Sequence, residues 1–310
     1  MPEINVTLLL GILYGLGAAF FQASSYFFSR RFLIHCHASS SSLFAVAHFQ
    51  MGVVALAALP LFLHNPLPSF SHYGLQLTLT VCFYLTGQRV LFLALKNTDS
   101  SVVAPLLGLK IPLLGLIAVV FFNESLPPLA WVSLGMGAAA AFLVSPPAGR
   151  PQIKGLLLIL LACGAYSGAD TFIPRLVERL QPASEHPVFL GVSLTYSVCG
   201  AVGLAAALYQ KTFRIAEVQK YALPYSFCWL IGITFLFATF STVGVIFGNM
   251  LQAFRGLISV GIAALILKLG IEQIEKRSNR TTFLLRLAGA TLMTAAIVTY
   301  YITKLRTELP

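Results

Sequence analysis

Leu106-Leu107-Gly108-Leu109-Lys110-Ile111-Pro112 sets a lysine inside an apolar block, and Leu251-Gln252-Ala253-Phe254-Arg255-Gly256-Leu257 sets an arginine inside another. The two stretches lie 145 residues apart, and that offset recurs along the chain. It brings Phe21 onto Tyr166, Arg30 onto Arg175, Phe44 onto Phe189 and Gly87 onto Gly232. The register holds without a gap through four apolar blocks. Beyond them the second half carries a few extra residues near Lys276–Asn279. The last block of each half still sets glycine among alanines, at Gly135 and Gly137 and at Gly289. Apolar matches carry little weight in so hydrophobic a chain, but two cation matches at one offset carry more.

The composition says where such blocks belong. Of 310 residues, 57% are hydrophobic and 10% charged, against about 25% charged in a soluble domain. The mean hydropathy is +0.84. About 20 mostly apolar residues span a bilayer as a helix, and helices satisfy their own backbone groups in lipid. The period-two alternation of a β-barrel strand is absent. Ten spans are expected, at 7–28, 43–63, 73–95, 100–122, 128–145, 153–176, 187–209, 222–241, 244–268 and 282–303. The eighth and ninth run nearly together, which leaves a nine-span alternative. Ser145-Pro146-Pro147-Ala148-Gly149-Arg150-Pro151, near the midpoint, reads as a linker. The expected fold is therefore an all-α integral membrane protein of ten transmembrane helices as two inverted five-helix repeats. Residues 1–145 form the first, 146–152 the linker and 153–310 the second. Five is odd, so the second unit enters the membrane upside down. Inverted repeats place a site near the bilayer midplane, and rocking one unit against the other exposes it to alternate faces.

The remaining composition narrows the function. The net charge of +10 sits mostly in short connections, where cations orient helices and meet head groups, so no nucleic acid partner is expected. Four of the five cysteines lie in apolar blocks, and no disulfide is inferred. His35-Cys36-His37 holds ligand types without a second cluster, so no metal and no cofactor are expected. The first apolar block is long enough to span and lacks a basic leader, so a cleaved signal peptide is not expected. No catalytic signature of the elbow, HExxH or phosphate-loop kind occurs, and the chain is read as not an enzyme.

Ala94-Leu95-Lys96-Asn97-Thr98-Asp99-Ser100-Ser101-Val102-Val103-Ala104-Pro105, the stretch to Pro112, and Phe121-Phe122-Asn123-Glu124-Ser125-Leu126 together resemble the EamA-like family of the drug/metabolite transporter superfamily. Glu124 fills the family's acidic position, while Asn123 replaces the glycine usual before it. Trp131, Gly135 and Gly137 continue the pattern, and Arg255-Gly256, Glu272 and Leu287-Ala288-Gly289-Ala290 echo it more loosely. The resemblance implies ten helices and a solute carrier, usually an exporter of metabolites or drugs. Related organic-phosphate carriers use basic residues on the fourth and ninth helices. The expected function is transport of a small polar or anionic metabolite, or a drug, by alternating access and outward. The alternative is a non-transporting scaffold or receptor.

A charge near the bilayer centre costs about 2.5–3.5 kcal/mol by the lower scales, so Lys110 and Arg255 should face an interior path. Pro112 lacks an N–H and frees the carbonyl of Gly108 beside Lys110. The two cations either hold an anionic substrate group or pair with carbonyls or an acid and position helices. Asp170, an acid well inside a span, either pairs with Lys110 or Arg255 or takes up a proton. Gln22, Tyr84, Gln88, Tyr166, Asn249 and Gln252 complete the expected substrate-binding set. Ser25, Tyr26, His48, Gln50, Arg89, Ser167, Ser193, Thr195 and Tyr196 are further polar residues clustered on these spans. Gly11 and Gly15 read as a helix-packing pair.

Counting Lys and Arg puts the odd-numbered connections in the cytoplasm. The resemblance implies cytoplasmic termini instead, and that orientation is preferred. The expected location is a bacterial inner membrane, with lipid and a small solute as partners and a monomer or homodimer as the assembly.

Overall fold

The computed structural model describes residues 6–36, 39–97, 107–144, 153–212, 215–268 and 280–308. The expected linker, the stretch from Thr98 to Leu106, Glu272 and Lys276–Asn279 lie outside them. Among the described residues the chain is helical and has no strand. The helices of the first half are α1 (Val6–His35), α2 (Ser40–Phe62), α3 (Phe70–Asn97), α4 (Lys110–Phe122) and α5 (Pro128–Val144). Those of the second are α6 (Ile153–Leu180), α7 (Pro187–Tyr209), α8 (Ala216–Val243), α9 (Val245–Gln252), α10 (Arg255–Lys268) and α11 (Arg280–Glu308). A 3₁₀ turn, Leu107–Leu109, leads into α4.

Local chemistry sets the ends. Ser39 caps α2 by accepting from the Ser42 N–H at 3.2 Å, satisfying an orphan donor of the first turn. Asn123 closes α4 at φ 52°, in the left-handed region that glycine favours and asparagine tolerates. This explains how asparagine fills a position where glycine is usual. Gly244 ends α8 at φ 86° and ψ 165°, a conformation essentially restricted to glycine. The block expected as one ninth span is thus two helices, α9 and α10, divided by a turn at Ala253–Phe254.

Among the described residues five helices are long and apolar enough to cross a bilayer: α1, α2, α7, α8 and α6 with its 3₁₀ extension to Ala183. Shorter apolar helices lie within Leu107–Phe122, Pro128–Leu143 and Leu287–Thr303. Large apolar side chains such as Leu13, Val54, Leu157 and Phe227 are exposed on the outside, as a lipid-facing surface requires.

The packing is reciprocal between the halves. The principal pairs are α1 with α8, α2 with α7, α3 with α6 and α5 with α11. Exchanging the halves turns α1–α8 into α6–α3 and maps the other two pairs onto themselves. Single contacts follow the same exchange. A Cβ on Gly87 would stand 2.9 Å from the Tyr166 ring, and one on Gly232 would stand 3.3 Å from Phe21 Cβ. Gly52 and Gly200 meet where α2 crosses α7, and a Cβ on either would collide with the other's Cα. Gly11 faces Val243 and Gly15 faces Leu251, so both serve close packing of α1.

One apolar core joins α1, α2, α3, α6, α7 and α8, and a second joins α4, α5, α9 and α11. At one end of the bundle the amides of His64 and Asn65 donate to the Ala183 carbonyl at 3.1 and 3.0 Å. Asn65 Nδ2 donates to the Pro182 carbonyl at 3.3 Å, and Phe62 stacks on Phe189.

Candidate functional site

Lys110 and Arg255 do not stand in mid-helix as expected. Each is the first residue of a helix, Lys110 after the 3₁₀ turn and Arg255 after the Ala253–Phe254 turn. Pro112 supplies no N–H to the preceding turn, and the backbone tightens there. The positive end of each helix dipole adds to its cation, so both breaks present positive potential at the same point of the repeat.

The surroundings of the two cations differ. Lys110 Nζ lies 2.5 Å from Asp170 Oδ2. Asn249 Nδ2 donates to the same oxygen at 2.8 Å and to the Val245 carbonyl at 3.0 Å. The ammonium also lies 5.7 Å from the centre of the Tyr166 ring. Lys110 and Asp170 are both buried, and together they cancel. Arg255 donates from Nη1 to Gln22 Oε1 at 3.3 Å, and its guanidinium lies 5.9 Å from the Tyr26 ring centre. Gln252 Nε2 donates to the same Gln22 oxygen at 2.9 Å. Among the described residues no carboxylate pairs with Arg255. The site therefore keeps one positive charge uncompensated.

These groups face a cavity of about 160 Å³. One water needs about 10–15 Å³, so the space is many waters large. Its walls are reciprocal as well. Thr80, Tyr84, Gln88 and Leu91 of α3 line it opposite Tyr225, Trp229, Ile233 and Leu236 of α8, and each of the four pairs is related by the offset of 145. Leu107 with Gln252, and Lys110 with Arg255, continue the series. Reciprocity stops there: Gln22 and Tyr26 of α1, Tyr166 and Asp170 of α6, and Thr195 and Tyr196 of α7 line the cavity without their offset partners, and toward the start of α2 so do Ser29 and Leu43, whose partners are Pro174 and Val188.

Of the nine expected binding residues, Lys110, Arg255, Gln22, Gln252, Tyr84, Gln88, Tyr166 and Asp170 line this cavity. Asn249 does not; it sits behind Asp170 and holds it. Of the two roles open to Asp170, the geometry has it paired, and with Lys110. Tyr26, Thr195 and Tyr196 also line the space. His48 lies behind Tyr84, its Nε2 3.0 Å from the phenol oxygen. Gln50 binds Gln219 and Ser226 instead, and Arg89 is exposed on the outer surface. Ser25 bonds to the Gln22 carbonyl, while Ser167 and Ser193 are buried away from the space.

Sequence reasoning missed α8, which contributes Tyr225 and Trp229. The signal was present, because these are the offset partners of Thr80 and Tyr84. Of the His35-Cys36-His37 triplet, His35 stacks on Tyr221, and the Cys36 thiol lies 3.7 Å from the Glu217 carbonyl oxygen. His37 lies outside the described residues. Among the described residues no three potential ligands gather for a metal.

Apolar helices of spanning length packed around a buried, charged cavity define a polytopic helical membrane protein with an internal polar site. Residues 9–145 match the model of the EamA-like transporter family. With the apolar helices, that match marks the chain as a multi-pass integral membrane protein. One crystal structure is similar over 96% of this chain and 98% of the other, with a TM-score of 0.66 and 16% identity. Similarity at that identity shows the fold alone. No curated protein matches the sequence.

Proposed function

We propose that this chain moves a small polar or anionic solute across a bilayer by alternating access, with no chemical conversion of the solute. Residues 1–145 and 153–310 act as two inverted five-helix units that together make ten spans, with 146–152 as the linker. The observation that carries the reading is the cavity whose α3 and α8 walls come from matching positions of both halves, with Lys110 and Arg255 at the two helix breaks. An inverted pair of units meeting at a central site is the architecture of alternating access. The unequal ends of the cavity also support it. Its lining reaches Ser29 and Leu43, while the Asn65–Ala183 contacts tie the loops at one end of the bundle. In the proposed cycle the two halves exchange these roles.

In this reading Arg255 attracts the solute's negative group and Gln22 and Gln252 orient it. Gln88, Tyr84 and Tyr166 contact its body, and Lys110 with Asp170 supplies a neutral polar wall. Asn249 acts through Asp170. Outward transport in a bacterial inner membrane, as a monomer or homodimer, completes the proposal. It is tested by comparing metabolites in cells lacking and overproducing the protein, followed by uptake of whatever changes into vesicles containing purified protein. Flux that Arg255→Gln diminishes supports the reading. An absence of flux for every changed metabolite overturns it.

A further inference from the structure

We infer that the cavity takes a singly charged organic anion with a planar unsaturated body and a second hydrogen-bonding group set apart from its acid. The simplest example is a hydroxylated aromatic carboxylate. The inference deepens the transport reading and rests on it for the use made of the cavity.

Charge is the first ground. Lys110 and Asp170 neutralise each other, and among the described residues the Arg255 guanidinium bonds to an amide oxygen and to no carboxylate. One uncompensated cation in a low-dielectric space calls for one negative charge. A dianion would leave a charge unpaired. A zwitterion would need an acceptor for its ammonium, and Asp170, the carboxylate lining this space, is held by Lys110 and Asn249.

The walls are the second ground. Rings of Tyr26, Tyr84, Tyr166, Tyr196, Tyr225 and Trp229 surround the space. Tyr225 and Trp229 stack at 5.8 Å and 21°. Aromatic faces and edges pack best against another planar π-system. Several of their polar atoms are already engaged: Trp229 donates to the Tyr196 oxygen at 3.0 Å, and Tyr84 meets His48. The rings therefore offer largely apolar surface.

The third ground is a pair of hydroxyls without partners. Thr80 and Thr195 are each 2% exposed, both line the cavity, and neither Oγ1 has a hydrogen-bond partner. Thr80 precedes Tyr84 by one turn and Thr195 adjoins Tyr196, and those two rings lie 5.8 Å apart. Buried hydroxyls left unpaired are costly. A hydroxyl or carbonyl on the solute, separate from the group on Arg255, satisfies them.

The test is equilibrium binding of radiolabelled 4-hydroxybenzoate to the purified full-length protein. The competitors are benzoate, 4-hydroxybenzamide, phthalate, tyrosine and inorganic phosphate. The inference expects 4-hydroxybenzoate to bind. It expects the neutral amide, the dianion and the zwitterion to compete about tenfold or more weakly, the effect of losing a charged hydrogen bond. Benzoate should compete about two- to tenfold more weakly, the effect of one neutral hydrogen bond. Arg255→Gln should erase the preference for acid over amide, and Thr195→Val should narrow the gap between 4-hydroxybenzoate and benzoate. The competition on the parent protein needs no variant, so a misfolded mutant leaves the test intact. Failure of 4-hydroxybenzoate to bind, equal competition by the amide, or stronger competition by tyrosine or phosphate overturns the inference. Flux of some other solute in vesicles would then leave the transport reading standing. Binding in the expected order with no flux of any solute would sink transport and keep the solute class.

Discussion

The buried pair Lys110–Asp170 and the unpaired Arg255 occupy related places in the two halves and do different work. A buried ion pair adds little to stability, but removing one partner strands the other. Lys110→Gln leaves the Asp170 carboxylate with Asn249 as its remaining bonded partner. It should therefore destabilise the protein by about 3–5 kcal/mol, the usual cost of stranding one member of a buried pair. Adding Asp170→Asn to Lys110→Gln should restore most of that loss, read as thermal unfolding in detergent. If the double variant unfolds as early as the single one, the pair does not act as a unit. Arg255→Gln, by contrast, should unfold near the parent temperature, since no buried carboxylate depends on it. Both cations were legible in the sequence, because charge inside an apolar block is rare and the offset related them. That only one half carries an acid, Asp170 against Ser25, was legible too, but which cation that acid reaches across the fold was not.

At the scale of the element, the ninth apolar block is made by two breaks, one at Gly244 and one at Ala253–Phe254. Gly244 holds a φ/ψ pair that a Cβ opposes, so Gly244→Ala should cost about 1–3 kcal/mol. A Cβ there would meet nothing within 4 Å, so the loss would come from backbone strain and not from a clash. An unchanged unfolding temperature would mean that the junction adjusts freely. The apolar blocks were legible because length and hydropathy suffice to find a span. Their internal breaks were less so, since a glycine between two apolar runs reads equally well inside a continuous helix. The contribution of α8 was hidden for a related reason. Tyr225 and Trp229 look like ordinary membrane aromatics until α3 is superimposed on α8 through the offset.

For the whole molecule, ten spans would return the chain to the face on which it began. Reporters fused before Met1 and after Pro310 should then report the same side of the membrane. Opposite sides would remove the even count and, with it, the two equal inverted units. The same fusions decide between the two readings of orientation, the count of Lys and Arg against the resemblance.

The reciprocal pairing of α1 with α8 and α3 with α6 has a consequence for synthesis. These helices find their principal partners in the half translated later or earlier, never in their own. While the first 145 residues emerge, the polar faces of α1 and α3 wait in the membrane without the surfaces that will cover them. Assembly is therefore late and long-range, closer to the joining of two subunits than to the growth of one. Cutting the chain between Pro147 and Ala148 and producing both pieces together should give a complex that co-purifies. Either piece made alone should be degraded. A first piece that accumulates by itself as a monodisperse species would show that five helices of one half suffice.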